Sequence, residues 1–306
     1  MKGRVVRLGE GVRRCIGGVW GGWVRVMKLL SWNVRGLGGL EKRREVRLLV
    51  GEKLPWIVCL QETKLSVCDS FLVSLLWGNS NCNFSFRPSK GASGGILIMW
   101  DNMEVEVWSS VSRQHFLLIH DKFLKSNEEF YFFNVYAPCG LREKEALWES
   151  SLTRLQLLRG KQVCVCGDFN VVWSVEERRS VRGENATNDH VAFNLFVEDN
   201  VLFDLPLYGR IFTWFKGDGS SMSRIDKFLL SEEWCFQWPN CIQAALLRGL
   251  LDHCPLVLSV DEANWGPRPN RMLNCWQDIP GYKQFVSDKW KSLHVDGWGV
   301  LSFVKN

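Results

Sequence analysis

From position 28 onward the chain keeps returning to short runs that are apolar on both faces, such as GGILIMW at 94–100 and QVCVCGDF at 162–169. A strand with one wet face alternates apolar and polar residues, so a run that is apolar throughout must be covered on both sides. KLLSWN (28–33), WIVCL (56–60), HFLLIH (115–120), FYFFNVYA (130–137), SRIDKFLL (223–230) and CPLVLSV (254–260) read as further strands. NFSFRP (83–88) and MEVEVWSSV (103–111) are strand candidates of more mixed character. Helical patterns occupy 41–53, 142–158 and 189–200; in the second, Leu147, Leu152, Leu155 and Leu158 recur at helical spacing beneath a charged start. Sheets packed together with helices outside, an α/β sandwich, satisfy these patterns.

The 306 residues are 46% hydrophobic, enough for one large globular domain with tails or for two small ones. The longest apolar runs fall well short of the roughly 20 residues that a membrane span needs. The eleven cysteines have no zinc-ribbon pairing, and the closest spacing, Cys164 and Cys166, lies inside an apolar run. They read as reduced thiols of an intracellular protein, with the Cys164–Cys166 pair a buried strand rather than a redox or metal motif. Trp32, Trp56, Trp100 and Trp108 also sit in or beside apolar runs and are expected in the core, not as base-stacking platforms. His115, His120, His190 and His294 have no partnered context in the sequence.

The net charge of +5 is not spread evenly. Residues 1–26 hold six basic side chains and one acid, leaving 32 basic and 32 acidic residues in 27–306. Attraction of the body to phosphate must therefore come from local patches or bound cations. The Arg- and Gly-rich segment 1–26 permits an organelle transit peptide, but it lacks Ser and Thr and reads better as an extension ahead of an internal start at Met27. After Asp261 the chain turns rich in Pro and Trp, reading as a linker that leads into a short helix near 281–292. This divides the sequence into 1–26, 27–260 and 261–306.

Chemistry is concentrated where apolar strands end, because a strand end presents a side chain at the rim of a sheet while the rest of the strand fixes it. LSWNVRG ends on Asn33; IVCLQETK on Glu62; FFNVYAP offers Asn134 and Tyr136; CVCGDFN gives Asp168 and Asn170; SRIDKF carries Asp226; LDHCPL brings Asp252 and His253. A lone acid at a strand end is more often a turn former or cap. As a set, Glu62, Asp168 and Asp252 are hard oxygen donors suited to Mg²⁺. His253 titrates in the neutral range, and Asp226 could orient it.

In order and rough spacing, WNVRG, QETK, NVYAP, GDFN, SRIDKFLL and DHCPL resemble the motifs of the endonuclease/exonuclease/phosphatase (DNase I-like) superfamily. LSWNVRGLGG, FTWFKGDGSSMSRIDKFLLSEEW and the tail NWGPRPNRMLNCW resemble the endonuclease domain of plant LINE-type non-LTR retrotransposons. The resemblance implies a four-layer α/β sandwich, two packed mixed β-sheets flanked by helices. It also implies a Mg²⁺-dependent phosphodiesterase, with Mn²⁺ able to substitute, that nicks one strand of DNA. On that reading Glu62 is the principal metal ligand, and Asn33, Asp252 and Asp168 line the metal site. Asp168 activates or positions water, Asn170 lies on the phosphate, Asp226 and His253 steady it, and Tyr136 contacts the phosphate or leaving group. KGDGSSM (216–222) corresponds to a DNA-touching hairpin, and Thr213, Arg224 and Arg35 are lesser substrate contacts. A monomer with a DNA substrate, no membrane association and no protein partner is expected, in the nucleus if active.

Sequences of the LINE type usually carry serine before the Asp-His pair, where this chain has Leu251. Reduced activity is the expectation. The missing reverse transcriptase makes a truncated, silent remnant the competing reading, and a phosphatase of the same superfamily a third.

Overall fold

The computed structural model describes residues 26–91, 93–180, 189–249 and 251–260, with Gly281 and four positions between 284 and 288. In chain order the first half contains β1 (Lys28–Asn33), α1 (Leu40–Lys53), β2 (Ile57–Gln61), α2 (Ser70–Trp77), β3 (Cys82–Lys90), β4 (Ser93–Asp101), β5 (Val105–Ser112), β6 (Phe116–Phe123) and β7 (Glu129–Tyr136). It continues with α3 (Leu141–Gln156), β8 (Gln162–Asp168), β9 (Arg178–Ser180), α4 (Asp189–Asp199), β10 (Leu202–Asp204) and β11 (Leu207–Tyr208). The last elements are β12 (Trp214–Phe215), β13 (Ser221–Ser223), β14 (Asp226–Ser231), α5 (Glu232–Gln237), β15 (Cys241–Ala245) and β16 (Leu256–Val260).

Two mixed sheets carry the core. The first has strand order β11-β15-β16-β1-β2-β4-β3 and the second β10-β14-β8-β7-β6-β5. Both kinds of pairing occur within each sheet: β1 runs parallel to β2 but antiparallel to β16, and β7 runs parallel to β8 but antiparallel to β6. The apolar-throughout strands take the central places, where they need cover on two faces. Alternate residues of one strand therefore enter different clusters. From β2, Ile57 and Cys59 join the cluster between the sheets with Phe130, Phe132 and Cys164, whereas Val58 and Leu60 join Val46, Val50 and Leu76 of the helices outside. A third cluster packs Leu147 and Leu155 of α3 and Phe193 of α4 on the outer face of the second sheet. The expected four layers are present.

A polar link crosses the otherwise apolar intersheet space. Asn134 of β7 accepts a hydrogen bond from Gln61 Nε2 of β2 at 2.7 Å and donates to the Leu60 and Leu97 carbonyls of the opposite sheet at 3.2 and 3.0 Å. Both side chains are fully buried. Unpaired polar atoms there would each cost about 1–3 kcal/mol, so the link favours one registration of the two sheets.

Several expectations need correction. SRIDKFLL is not one strand. Ser221–Ser223 pairs with β9 in a small third sheet, while Asp226–Ser231 pairs with β8. Between them the chain bends, and the N–H groups of Ile225 and Asp226 both donate to Thr213 Oγ1. Trp108 is 47% exposed, because β5 is the edge strand of its sheet. His120 is partnered, bonding Glu129 through Nε2 at 2.8 Å and stacking on Tyr131. Leu158 lies beyond the end of α3, and the Leu152 side chain and His294 fall outside the described residues. α2, α5 and β15 carry too few residues to show a period; α2 is instead started by Asp69, whose side chain accepts from Leu72 N–H at 2.8 Å. The described cysteines are all free thiols, and no described helix is long and apolar enough to cross a membrane.

Contacts divide the chain after Glu262. Beyond that point, the expected helix near 281–292 lies mostly outside the described residues; Gln284, Phe285, Ser287 and Asp288 are helical.

Asn134→Ala is expected to lower stability by about 2–4 kcal/mol through the broken intersheet link. Asn83→Ala, on an exposed position of β3, is expected to change it by less than about 0.5 kcal/mol. Urea denaturation checks both.

Candidate active site

Strand direction brings the quoted motifs to one rim. β1 and β2 are parallel and end together, with Asn33 opposite Gln61 and Glu62 next in the chain. In the other sheet Tyr136 and Asp168 are register partners at the ends of parallel β7 and β8, and Asp226, at the start of antiparallel β14, is the next partner of Asp168. Antiparallel β16 begins where β1 ends, which delivers Asp252 and His253 to the same place, and Trp32 Nε1 donates to the His253 carbonyl at 3.1 Å.

The first sheet contributes an acid held among cations. Glu62 takes a left-handed backbone conformation (φ +51°), as does Arg35 (φ +48°); such positions are rare outside glycine and concentrate at functional sites. Behind Glu62, Thr63 and Lys64 donate their N–H groups to the Gly95 and Gly94 carbonyls at 3.0 and 2.9 Å. Gly95 must be glycine there, since a Cβ would stand 2.4 Å from Thr63 Oγ1. Lys64 Nζ lies 3.1 Å from Glu62 Oε1, and Arg35 lies 3.5 Å from Glu62 Oε2 and 2.9 Å from Asp252 Oδ2. Trp214 Nε1 also donates to Asp252 Oδ2 at 3.2 Å.

The second sheet contributes two buried acids, Asp168 and Asp226, and the His253 imidazole, delivered ahead of β16 of the first sheet, meets them. Asp226 accepts from His253 Nδ1 at 3.0 Å, which leaves Nε2 directed to Asp168 Oδ2 at 3.9 Å. Asp168 Oδ1 accepts the Asn170 N–H at 2.9 Å, within a turn that holds Asn170 at φ +50°. Asn170 is anchored twice more: Nδ2 donates to the Ala137 carbonyl at 2.7 Å, and its own carbonyl accepts from Lys144 Nζ at 2.6 Å. Gly167, just before Asp168, has φ +138°, and a Cβ there would stand 1.9 Å from the Val135 carbonyl oxygen. Only glycine lets β8 approach β7 this closely.

Asn33 joins the halves. Its amide nitrogen donates to Asp168 Oδ2 at 2.8 Å and to Glu62 Oε2 at 3.3 Å, while its Oδ1 accepts the Arg35 N–H at 3.0 Å. Asn33 thus bridges the acids of the two halves, with its Oδ1 accepting a single hydrogen bond.

Burial and crowding perturb the ionisable groups. Burial, reinforced by Asp226, raises Asp168 to about 7, although His253 and the Asn33 and Asn170 donors pull it down. Burial by itself would lower His253, but Asp226, Asp168 and Asp252 together raise it to about 9. Burial, then the Glu62 and Asp168 charges, keep the Tyr136 phenol protonated well above its ordinary range. The ligand atoms of Asp168, Asp226 and His253 lie within 4.8 Å of one another, a spacing that suits an ion, yet a charged imidazole already supplies a cation there. Glu62 and Asp252 fit a hard divalent cation better, since their carboxylates already converge on a positive charge, the Arg35 guanidinium.

Two expected substrate contacts are differently employed. Thr213 is fully buried, with its hydroxyl accepting the Ile225 and Asp226 N–H groups, so it positions Asp226 and does not face a substrate. Arg224 is ion-paired to Glu177 at 2.9 Å and to Asp204, in a network that also holds the fully buried Lys227. KGDGSSM does form a hairpin, closed by Lys216 N–H to the Ser221 carbonyl at 2.8 Å. The sequence reading passed over Lys64, Trp214 and Lys144. Lys64 stands inside QETK; Trp214 and Lys144 lie far in sequence from the groups they support, the Asp252 carboxylate and the Asn170 carbonyl.

A family model described as the Endonuclease/Exonuclease/phosphatase family matches residues 30–246, and the chain belongs to that family. An exodeoxyribonuclease of Bacillus subtilis is 26% identical over 259 residues, covering 77% of this chain and all of the relative. Among solved structures, an AP endonuclease from Leishmania major superposes with a TM-score of 0.63 at 17% identity, covering 77% of this chain and 88% of the other. An AP endonuclease from Archaeoglobus fulgidus gives 0.61 at 21% identity, covering 77% and 99%. A 3′–5′ exonuclease from Neisseria meningitidis gives 0.59 at 18%, covering 77% and 100%. Nucleases of this family depend on a divalent metal, in keeping with the acidic rim.

The His253 ring resonances are expected to titrate near pH 9 in the metal-free protein. Because the folded pKa lies above the unfolded value of 6.5, this group's stabilisation is complete below pH 6.5 and is lost as the pH rises through about 9. Unfolding free energy should fall across that window by about 3 kcal/mol. The raised Asp168 adds a fall in the same direction as the pH rises through about 7. NMR titration and urea denaturation test this, and Asp226→Asn should bring the His253 midpoint down.

Proposed function

We propose that the chain is a Mg²⁺-dependent phosphodiesterase that nicks one strand of DNA and derives from the endonuclease domain of a plant LINE-type retroelement. The observation that carries the reading is the convergence of Tyr136, Asp168 and Asp226 of one sheet with Glu62, Asp252 and His253 delivered by the other, at a rim where Arg35 already holds a cation against Glu62 and Asp252. The family includes enzymes that act on DNA, and a related 3′ phosphatase from Neisseria has been solved bound to a product DNA hairpin. The retroelement origin rests on LSWNVRGLGG, the hairpin segment and the Trp-rich tail.

A phosphodiester is anionic, so its hydrolysis needs charge neutralisation on phosphate and an activated water. Glu62 and Asp252 would hold the Mg²⁺ ion, which when bound neutralises phosphate charge. Asp168, near neutrality in pKa, accepts the proton of a water that Asn170 helps to place. His253, kept protonated by Asp226, faces the charge that builds on the phosphate oxygens. Tyr136 retains its proton and donates a hydrogen bond to the phosphate or the leaving oxygen. Water oxygen bonds to phosphorus, the bond to the 3′ oxygen breaks, and a 3′-hydroxyl and a 5′-phosphate result. On this reading the hairpin 216–222, whose leading strand β12 is bonded to Asp252 through Phe215 N–H and Trp214 Nε1, and Arg35 would contact the duplex. Residues 27–260 form the catalytic domain on this reading.

Supercoiled plasmid incubated with the full chain is expected to become open circles only with Mg²⁺ or Mn²⁺. Glu62→Ala and His253→Ala should each reduce the rate at least about 100-fold. Equal nicking by wild type and both variants, or none by any, refutes the reading.

Leu251 favours the silent-remnant alternative. Its side chain is buried in the helix-side core, so this position offers the site no hydroxyl. Leu251→Ser is expected to raise nicking several-fold while costing about 2–4 kcal/mol of stability. An unchanged rate per folded molecule would make the leucine innocent.

A further inference from the structure

Arg35 occupies an unusual place. It sits two residues after Asn33 in a left-handed turn, and its guanidinium spans the two acids best suited to a metal. One nitrogen is 3.5 Å from Glu62 Oε2 and the other is 2.9 Å from Asp252 Oδ2. Lys64 Nζ meets the remaining Glu62 oxygen at 3.1 Å, and Asn33 and Trp214 donate to the oxygens that Arg35 touches. The acid pair is thus already neutralised by two cations of the chain itself. A divalent ion that adds to this cluster without displacing either brings two further positive charges beside two cations that already offset the acids, which is unfavourable.

The two cations differ in what they can do. The Glu62 carboxylate is fixed by its strained turn and is 7% exposed, while the Arg35 side chain is 45% exposed and long enough to swing outward. Its guanidinium is planar and forked, equally suited to carboxylate or phosphate oxygens. From these contacts we infer that Arg35 is a resident cation competing with the divalent metal for Glu62 and Asp252, and that metal entry releases its guanidinium to a phosphate of the substrate. This rests on the metallonuclease reading above. Metal and anionic substrate then favour each other: the metal frees the guanidinium, and the phosphate keeps it away from the acids. Linkage requires that each tighten the binding of the other.

The test begins without DNA. Mn²⁺ binding to the full chain is followed by loss of the free-ion EPR signal and by calorimetry, for wild type, Arg35→Ala, Arg35→Lys, Glu62→Ala and Lys53→Ala, the last at the C-terminal end of α1. Removing a charge-assisted contact to each acid should tighten Mn²⁺ binding by Arg35→Ala about tenfold. Arg35→Lys should stay within about threefold of wild type, because a charge remains. Lys53→Ala should not change. A short duplex carrying an uncleavable phosphorothioate should tighten Mn²⁺ binding to wild type more than to Arg35→Ala. At saturating metal, Arg35→Ala should raise KM for DNA and leave kcat nearly intact. If Arg35→Ala binds Mn²⁺ as wild type does, or more weakly, the competition is refuted while plasmid nicking still stands for the nuclease reading. If Glu62→Ala binds Mn²⁺ as tightly as wild type, the metal site itself is wrong and both fall. Thermal unfolding of each variant confirms that the comparisons are between folded proteins.

Discussion

The hydrogen bond from Gln61 to Asn134 is the contact on which the rest of this structure turns. Two sheets that pack only through apolar side chains can slide by a residue and still bury much the same area. A buried amide pair cannot slide without leaving donors and acceptors unpaired in a medium where nothing replaces them. The pair sits directly beneath the rim: Gln61 precedes Glu62, and Asn134 is two residues before Tyr136. The intersheet registration and the geometry of the site are therefore one constraint. Asn33 repeats the logic at the rim itself, where a single buried amide nitrogen touches Glu62 of one half and Asp168 of the other.

That closeness has an electrostatic consequence. Glu62, Asp168, Asp226 and Asp252 share a small region, and Asp168 and Asp226 are nearly inaccessible to water. Left to themselves the acids would repel and take up protons. The chain answers with three cations of different character. His253 lies between Asp226 and Asp168, Lys64 is on Glu62, and Arg35 spans Glu62 and Asp252. The imidazole is buried and locked to Asp226, so its charge belongs to the resting architecture. The guanidinium, like the Lys64 ammonium, reaches solvent, and it alone of the three spans both Glu62 and Asp252, where it can be exchanged for another cation.

Much of this was legible in the sequence because the two signals involved are local. Central strands declare themselves by being apolar on both faces, and the site residues declare themselves by ending those strands. QETK, GDFN and the Asp252–His253 pair needed no partner to be noticed. What escaped notice was relational. Thr213 and Arg224 carry side chains that fit substrate contact, but the fold spends one hydroxyl on the bend before Asp226 and one guanidinium on Glu177 and Asp204. Lys144 and Trp214 show no motif of their own and gain meaning only from the carbonyl of Asn170 and the carboxylate of Asp252. The break in SRIDKFLL was hidden for the same reason, since its cause is a hydroxyl ten or more residues away.

Leu251 brings the two kinds of information together. Locally it is an apolar residue before an acid and a histidine, which reads as a loss of polar function. Within the fold its side chain belongs to the same buried cluster as Trp32 and Val34, the residues on either side of Asn33. Trp32 in turn holds the His253 carbonyl through its indole N–H. The leucine therefore helps to seat the turn that delivers Asp252 and His253, and it does so from the side of the acids that faces the helices. A hydroxyl at this position would exchange that packing for one more hydrogen-bonding group near the rim. Whether the site gains from such an exchange depends on how firmly the Trp32 and Asp226 bonds hold His253 by themselves. The two-sided fixation of the imidazole, carbonyl to Trp32 and Nδ1 to Asp226, argues that they hold it well.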